Sequence, residues 1–150
     1  MDRFVRIKPP IIASVLLLIS FGLHFLVQGE AKLLSSFRFS GIFILVVGFW
    51  IICWAFRLFQ KKETPVLPTD KPTTVVSDGP FRFSRNPMYF GIALILLGIA
   101  CSVGTFPMFL APVTFLLIID RIFIPYEEMK MEDLFGQTYL DYKHRVRRWL

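Results

Sequence analysis

Two clusters of polar residues interrupt an otherwise apolar chain, and their residue types could bind a zwitterion. The first runs Arg82-Phe83-Ser84-Arg85-Asn86-Pro87-Met88-Tyr89. The second is Glu127-Glu128, just past Pro125. A guanidinium takes a carboxylate through paired N–H donors, and carboxylates take an ammonium or a sulfonium. A ligand with an amino-acid end presents both charges. Each piece also has a plainer reading. Arg85 could anchor a helix end among lipid headgroups. Glu127 and Glu128 fall in the first turn after a proline, where acidic side chains favour the helix dipole. Against mere decoration for solubility stands Glu132, four residues beyond Glu128, a repulsive helical spacing.

The elements that must position these clusters are apolar helices. Of the 150 residues, 55% are hydrophobic, and the mean hydropathy is +0.59. An ordinary soluble domain has a more mixed surface. Four runs stand out: Ile11–Val27, Gly41–Phe56, Met88–Val103 and Phe106–Ile119, each of 14 to 17 residues. Carrying the second to Phe59 and the fourth to Ile124 brings both to the length of a membrane span, with Arg57, Asp120 and Arg121 at the surface. Four such runs as buried soluble helices would leave too little amphipathic surface to cover them. The expected fold is therefore all-α: an integral membrane bundle of about four transmembrane helices. One domain spans 1–150, with two N-terminal spans in 1–59 and the chemistry in 60–150.

Charge sets the expected orientation. The N-terminal tail, the loop after the second run and the C-terminal segment hold 15 of the 17 Lys and Arg residues, leaving Lys32 and Arg38 on the other side. By the positive-inside rule both termini are cytoplasmic. That distribution also accounts for the net charge of +6 without nucleic acid. Run one begins basic, but Gln28-Gly29-Glu30-Ala31-Lys32 lacks a small-residue cleavage site, so it reads as a retained helix. Gly41 and Gly48 are seven apart, as are Gly91 and Gly98, which places each pair on one helix face and permits close approach. Cys53 and Cys101 lie inside apolar runs with no partner spacing, so no disulfide or metal site is expected.

The loop of residues 60–87 carries Pro65, Pro68, Pro72 and Pro80, which disfavour continuous helix. Runs three and four form a hairpin with a short outer turn, so their inner ends should meet and bring Arg85 to Glu127 and Glu128. Gly136 is a natural helix stop. A last helix is expected from about Thr138 to the end. Tyr139, Tyr142, Val146 and Trp149 share one face, giving an amphipathic helix at the cytoplasmic surface.

These residues resemble a known family. The segment Gly79 to Gly91 reads Gly-Pro-Phe-Arg-x-x-Arg-Asn-Pro-Met-Tyr-x-Gly. It is similar to the first signature of the isoprenylcysteine carboxyl methyltransferases and phospholipid methyltransferases. Glu127-Glu128, followed by Phe135, Gly136, Tyr139, Tyr142, Arg145 and Val146, resembles their second. The resemblance covers residues 60–150. It implies transfer of a methyl group from S-adenosylmethionine to a lipid-like or prenylated acceptor at the cytoplasmic face. It also implies that Arg82, Arg85, Asn86, Pro87, Tyr89, Glu127 and Glu128 hold the cofactor, while Tyr139, Tyr142 and Arg145 close the site and meet the acceptor. One departure is Asn86, where most relatives carry His; an amide cannot carry a positive charge, which leaves Arg82 and Arg85 to supply it.

Such chemistry asks mainly for alignment, with no metal. A carboxylate acceptor needs no base, whereas an amine must first lose a proton. His24 lies at the far end of run one and reads as a packed or interfacial residue. Asp120 reads as half of a structural ion pair near the surface. A membrane scaffold would explain the anchor and the basic tail but not two spaced motifs. A transporter lacks polar residues to line a path, and a nicotinamide-dependent sterol reductase would be larger. The acceptor, the acceptor atom and the oligomeric state remain open at this point.

Overall fold

The computed structural model describes residues 8–27, 38–62 and 73–150. Readings that rested on Arg3, Arg6, Lys32, Pro65, Pro68, Lys71 and Pro72 fall outside these residues. Among the described residues every regular element is helical. Helix α1 spans Pro9–Leu26, α2 Arg38–Lys61 and α3 Pro87–Val103. A 3-10 turn at Phe106–Phe109 leads into α4 (Leu110–Ile118), a π-helical turn (Ile119–Phe123) and α5 (Ile124–Phe135); α6 follows at Gln137–Arg145. A second 3-10 turn, Gly79–Arg82, lies in the loop before α3.

Three helical stretches are long and apolar enough to cross a membrane: Pro9–Leu26, Phe39–Lys61 and Phe106–Phe135. The fourth apolar run, Pro87–Val103, is shorter. Helices this apolar on all sides have no polar face to offer water. Leu18, Phe25, Phe39, Phe43, Phe49 and Trp50 accordingly point outward, each more than half exposed. The chain is a membrane protein. Its inward faces combine small residues with large apolar ones. Ala13 on α1 and Ala93 and Leu96 on α3 join Ala111, Phe115, Ile119, Phe123 and Ile124 in one core.

The tightest helix pair is α2 against α3, and the glycines explain it. A Cβ on Gly41 would lie 2.6 Å from the Gly98 carbonyl oxygen, and one on Gly48 equally close to that of Gly91. The two seven-residue pairs interlock antiparallel, backbone on backbone. At the C-terminal end of α1, His24 Nδ1 and Thr105 Oγ1 hydrogen-bond at 3.0 Å, tying α1 to the turn after α3.

Two expectations need correction. The helical path does not restart at Pro125 but continues from Phe106 to Phe135. Proline lacks an N–H and crowds the carbonyl four residues back, here that of Arg121. The widened π turn immediately before it absorbs that mismatch, so the helix carries on. Nor does the last helix reach the C-terminus. It stops at Arg145, and Val146 is extended at φ −122°, ψ 131°.

Replacing Gly48 with Leu should drive α2 and α3 apart and cost about 1–3 kcal/mol, as overpacked contacts do. Thermal unfolding in detergent reads this out, and an unchanged melting temperature would refute the interlocked pair.

Candidate active site

A cavity of about 270 Å³ opens between the N-terminal ends of α1, α3 and α5 and the C-terminal end of α2, lined by both sequence clusters. Arg85, Asn86, Pro87, Tyr89, Glu127, Glu128, Tyr139 and Tyr142 all border it. Its remaining walls are largely apolar, with Phe59, Val76, Phe81, Met88, Ile92 and Met131 among them.

The loop before α3 is shaped for this. Gly79 has φ +55°, a backbone conformation that favours glycine, and a Cβ there would also crowd Leu58 Cδ1 at 2.5 Å. The turn then buries Phe81 against Ala55 and Val76, edge-on to Phe59. Pro87 opens α3, where its missing N–H costs nothing. Arg85 is thereby held with its side chain only 9% exposed, and its Nη2 pairs with Glu128 Oε1 at 3.1 Å. Its Nε and Nη1 are buried without a hydrogen-bond partner among the described residues. Such orphaned donors are costly and call for an acceptor.

Glu127 and Glu128 are neighbours on α5 and so point in different directions. Glu127 accepts a short hydrogen bond from the Tyr89 hydroxyl. Glu128 is buried and receives three cations. Besides Arg85, Arg148 donates Nε to Oε1 at 3.2 Å and Nη2 to Oε2 at 3.1 Å, while Lys143 Nζ lies 3.5 Å from Oε2. Lys143 also pairs with Glu132. That bridge resolves the repulsive spacing of Glu128 and Glu132.

Tyr142 donates its hydroxyl to the Phe81 carbonyl at 2.8 Å, fastening α6 onto the 3-10 turn. Burial pushes both phenols up, Tyr139 to about 12 with the Glu128 charge adding to the effect. Neither is a base at working pH. They can wall the cavity or donate a hydrogen bond.

Two of the candidates stand elsewhere. Arg82 and Arg145 are exposed and do not border the cavity, and Arg145 Nε donates to the Asp141 carbonyl within its own helix. Arg148, Lys143 and Ser84 were missed. Ser84 Oγ accepts from the Asn86 N–H and donates to the Arg148 carbonyl, both at 3.1 Å. Asn86 Nδ2 donates to the same carbonyl at 3.1 Å, a neutral role that the amide fills without positive charge. Asp120 takes Arg148 Nη1 at 3.3 Å and Trp149 Nε1 at 3.0 Å, so it does sit in an ion pair.

An all-helical membrane bundle with a charged cavity at its helix ends defines a class; the comparisons define the family. The phospholipid methyltransferase family model matches residues 37–138, and the chain belongs to that family. It is 40% identical over 63 residues to an uncharacterised protein of Haemophilus influenzae, a match covering 42% of this chain and all of that protein. It is 33% identical over 78 residues to protein-S-isoprenylcysteine O-methyltransferase B of Arabidopsis thaliana, covering 48% of this chain. The matched part is 36% of the plant enzyme's length. No solved structure matches the chain.

Removing Glu128 strands three cations at once. Glu128→Ala should cost about 3–5 kcal/mol, the range for a broken buried pair. Glu127→Gln, which keeps an acceptor for Tyr89, should melt close to wild type. Equal melting temperatures for the two variants would contradict the cluster.

Proposed function

We propose that the chain is a membrane methyltransferase that uses S-adenosylmethionine and acts on a lipid-like or prenylated acceptor. The observation that carries this reading is Arg85, whose two buried, unpaired donors belong to a cavity also bordered by Glu127. In this reading the free Arg85 donors hold the amino-acid carboxylate, and Glu127, oriented by Tyr89, faces the ammonium or sulfonium. Asn86 and Pro87 shape the wall between them. The cofactor would supply an already activated methyl group, which suits a cavity whose titratable groups are mostly committed to one another. Tyr139 and Tyr142 close the site as neutral groups. Arg145 and Arg82, being exposed, serve best as contacts to the acceptor headgroup or to the lipid surface.

The apolar walls Phe59, Met88 and Ile92 suit an acceptor with a hydrocarbon part. The reading includes four spans in a single domain, with α3 as the fourth; a locally thinned bilayer accommodates its 17 residues. Both termini are placed in the cytoplasm by the positive-inside rule, with α6 at that surface. Family membership and the likeness to a plant enzyme named as a methyltransferase support the reaction class.

Titration calorimetry of the detergent-solubilised chain with S-adenosylmethionine is the first test. Binding should be measurable in the wild type and weakened by about tenfold or more in Arg85→Ala, the equivalent of one lost charge-assisted contact. Labelled cofactor incubated with membrane lipid extract should then mark one product class. A folded wild-type chain with no affinity for the cofactor removes the proposal, and a scaffold would behave that way.

A further inference from the structure

After α6 the last five residues, Val146–Leu150, run back across the inner end of α3. Their carbonyls are acceptors for the signature loop. The Arg85 amide donates to the Arg147 oxygen at 2.9 Å, and Ser84 Oγ and Asn86 Nδ2 converge on that of Arg148. The Arg148 side chain turns the other way, gripping both oxygens of Glu128 and reaching Asp120 on the π turn. Trp149 bonds the same Asp120 oxygen. The tail thus joins the loop, the π turn and α5, yet Arg148 does not border the cavity.

We propose that this tail is a clasp and that Arg148 is a positioning residue, whose forked grip on Glu128 keeps Arg85 available for the ligand. The inference rests on the cofactor reading above. Its physical basis is competition for one carboxylate. A guanidinium prefers two parallel bonds to a carboxylate. Arg148 already spans both Glu128 oxygens, so Arg85 reaches Glu128 with Nη2 alone and retains two unpaired donors. Without Arg148, Glu128 is free to turn and take Arg85 in a fork of its own. The site then fills itself with its own ion pair.

This makes an unusual forecast about paired substitutions. Arg148→Ala should weaken S-adenosylmethionine binding to the full chain by about tenfold, one charge-assisted contact's worth. Arg148→Lys, a point charge without the fork, should fall between Arg148→Ala and wild type. Adding Glu128→Gln to Arg148→Ala should restore part of the affinity, because the amide no longer captures Arg85. A residue with only a structural role predicts the reverse, a double variant weaker than either single one, and that result would overturn the proposal. So would Arg148→Ala binding as tightly as wild type. Hydrogen exchange supplies a readout independent of ligand: protection of the Arg85 amide, bonded to the tail, should drop in Arg148→Ala. Failure of the wild-type chain to bind the cofactor would sink the cofactor reading and, with it, the ligand role assigned to Arg148. The clasp is then judged by exchange alone, and Arg85 protection that survives Arg148→Ala overturns it.

Discussion

A single buried carboxylate organises this site. Glu128, 6% exposed, sits where the signature loop, α6 and the C-terminal tail each deliver a cation: Arg85, Lys143 and Arg148. Moving an ion out of water costs several kcal/mol, and only close pairing with further hydrogen bonds offsets it. Glu128 meets that condition by using both oxygens. Such clusters contribute little net stability compared with a well-packed apolar substitute. What this one supplies is geometry, because the loop, α5 and the tail can satisfy the charge together only in one arrangement. The fold and the site are therefore coupled through one residue.

The helices set the conditions for that coupling. The α2–α3 pair closes to glycine backbone contact and fixes the start of α3, hence of Arg85. The Phe106–Phe135 path passes its π turn just before the two glutamates. An extra residue in one turn rotates everything beyond it relative to a regular helix, so the turn helps decide which way Glu127 and Glu128 face. It also presents Asp120 to the tail. Proline, π turn and acidic pair work as one local device.

Much of this was legible from residues alone, for identifiable reasons. The apolar runs are long and nearly uninterrupted, so their helices could be bounded within a few residues. The spacing of each glycine pair marked a helix face open to close approach, and those two faces meet each other. The meeting of Arg85 with Glu128 followed from a short-turned hairpin that brings the far ends of runs three and four together. The tail was different. Tyr139, Tyr142, Val146 and Trp149 fit a helical face by spacing, and nothing local contradicts it. The helix ends because the carbonyls of Arg147 and Arg148 are taken by Arg85, Ser84 and Asn86, more than sixty residues away. Pro125 misled in the opposite sense: proline usually marks a break, but a widened turn two residues earlier removed the need for one. Arg148 could not be told from its neighbours Arg145 and Arg147, since only the extended backbone points it inward.

Asn86 shows how the same architecture tolerates a change at a signature position. The signature that the sequence resembles has His at this position, which could suggest that an imidazolium helps bind an anionic group. The geometry argues for a neutral role. The Asn86 side chain spends its donor on the Arg148 carbonyl, beside the Ser84 hydroxyl that seeks the same oxygen. An imidazole N–H could supply that bond equally well, and so could an amide, whereas a charge would add a fourth cation beside Arg85, Arg148 and Lys143. In this chain the position supplies a hydrogen-bond donor that reaches the tail. In the proposed reading, positive charge for a ligand carboxylate comes from Arg85, whose two donors are left unpaired while Arg148 spans both oxygens of Glu128.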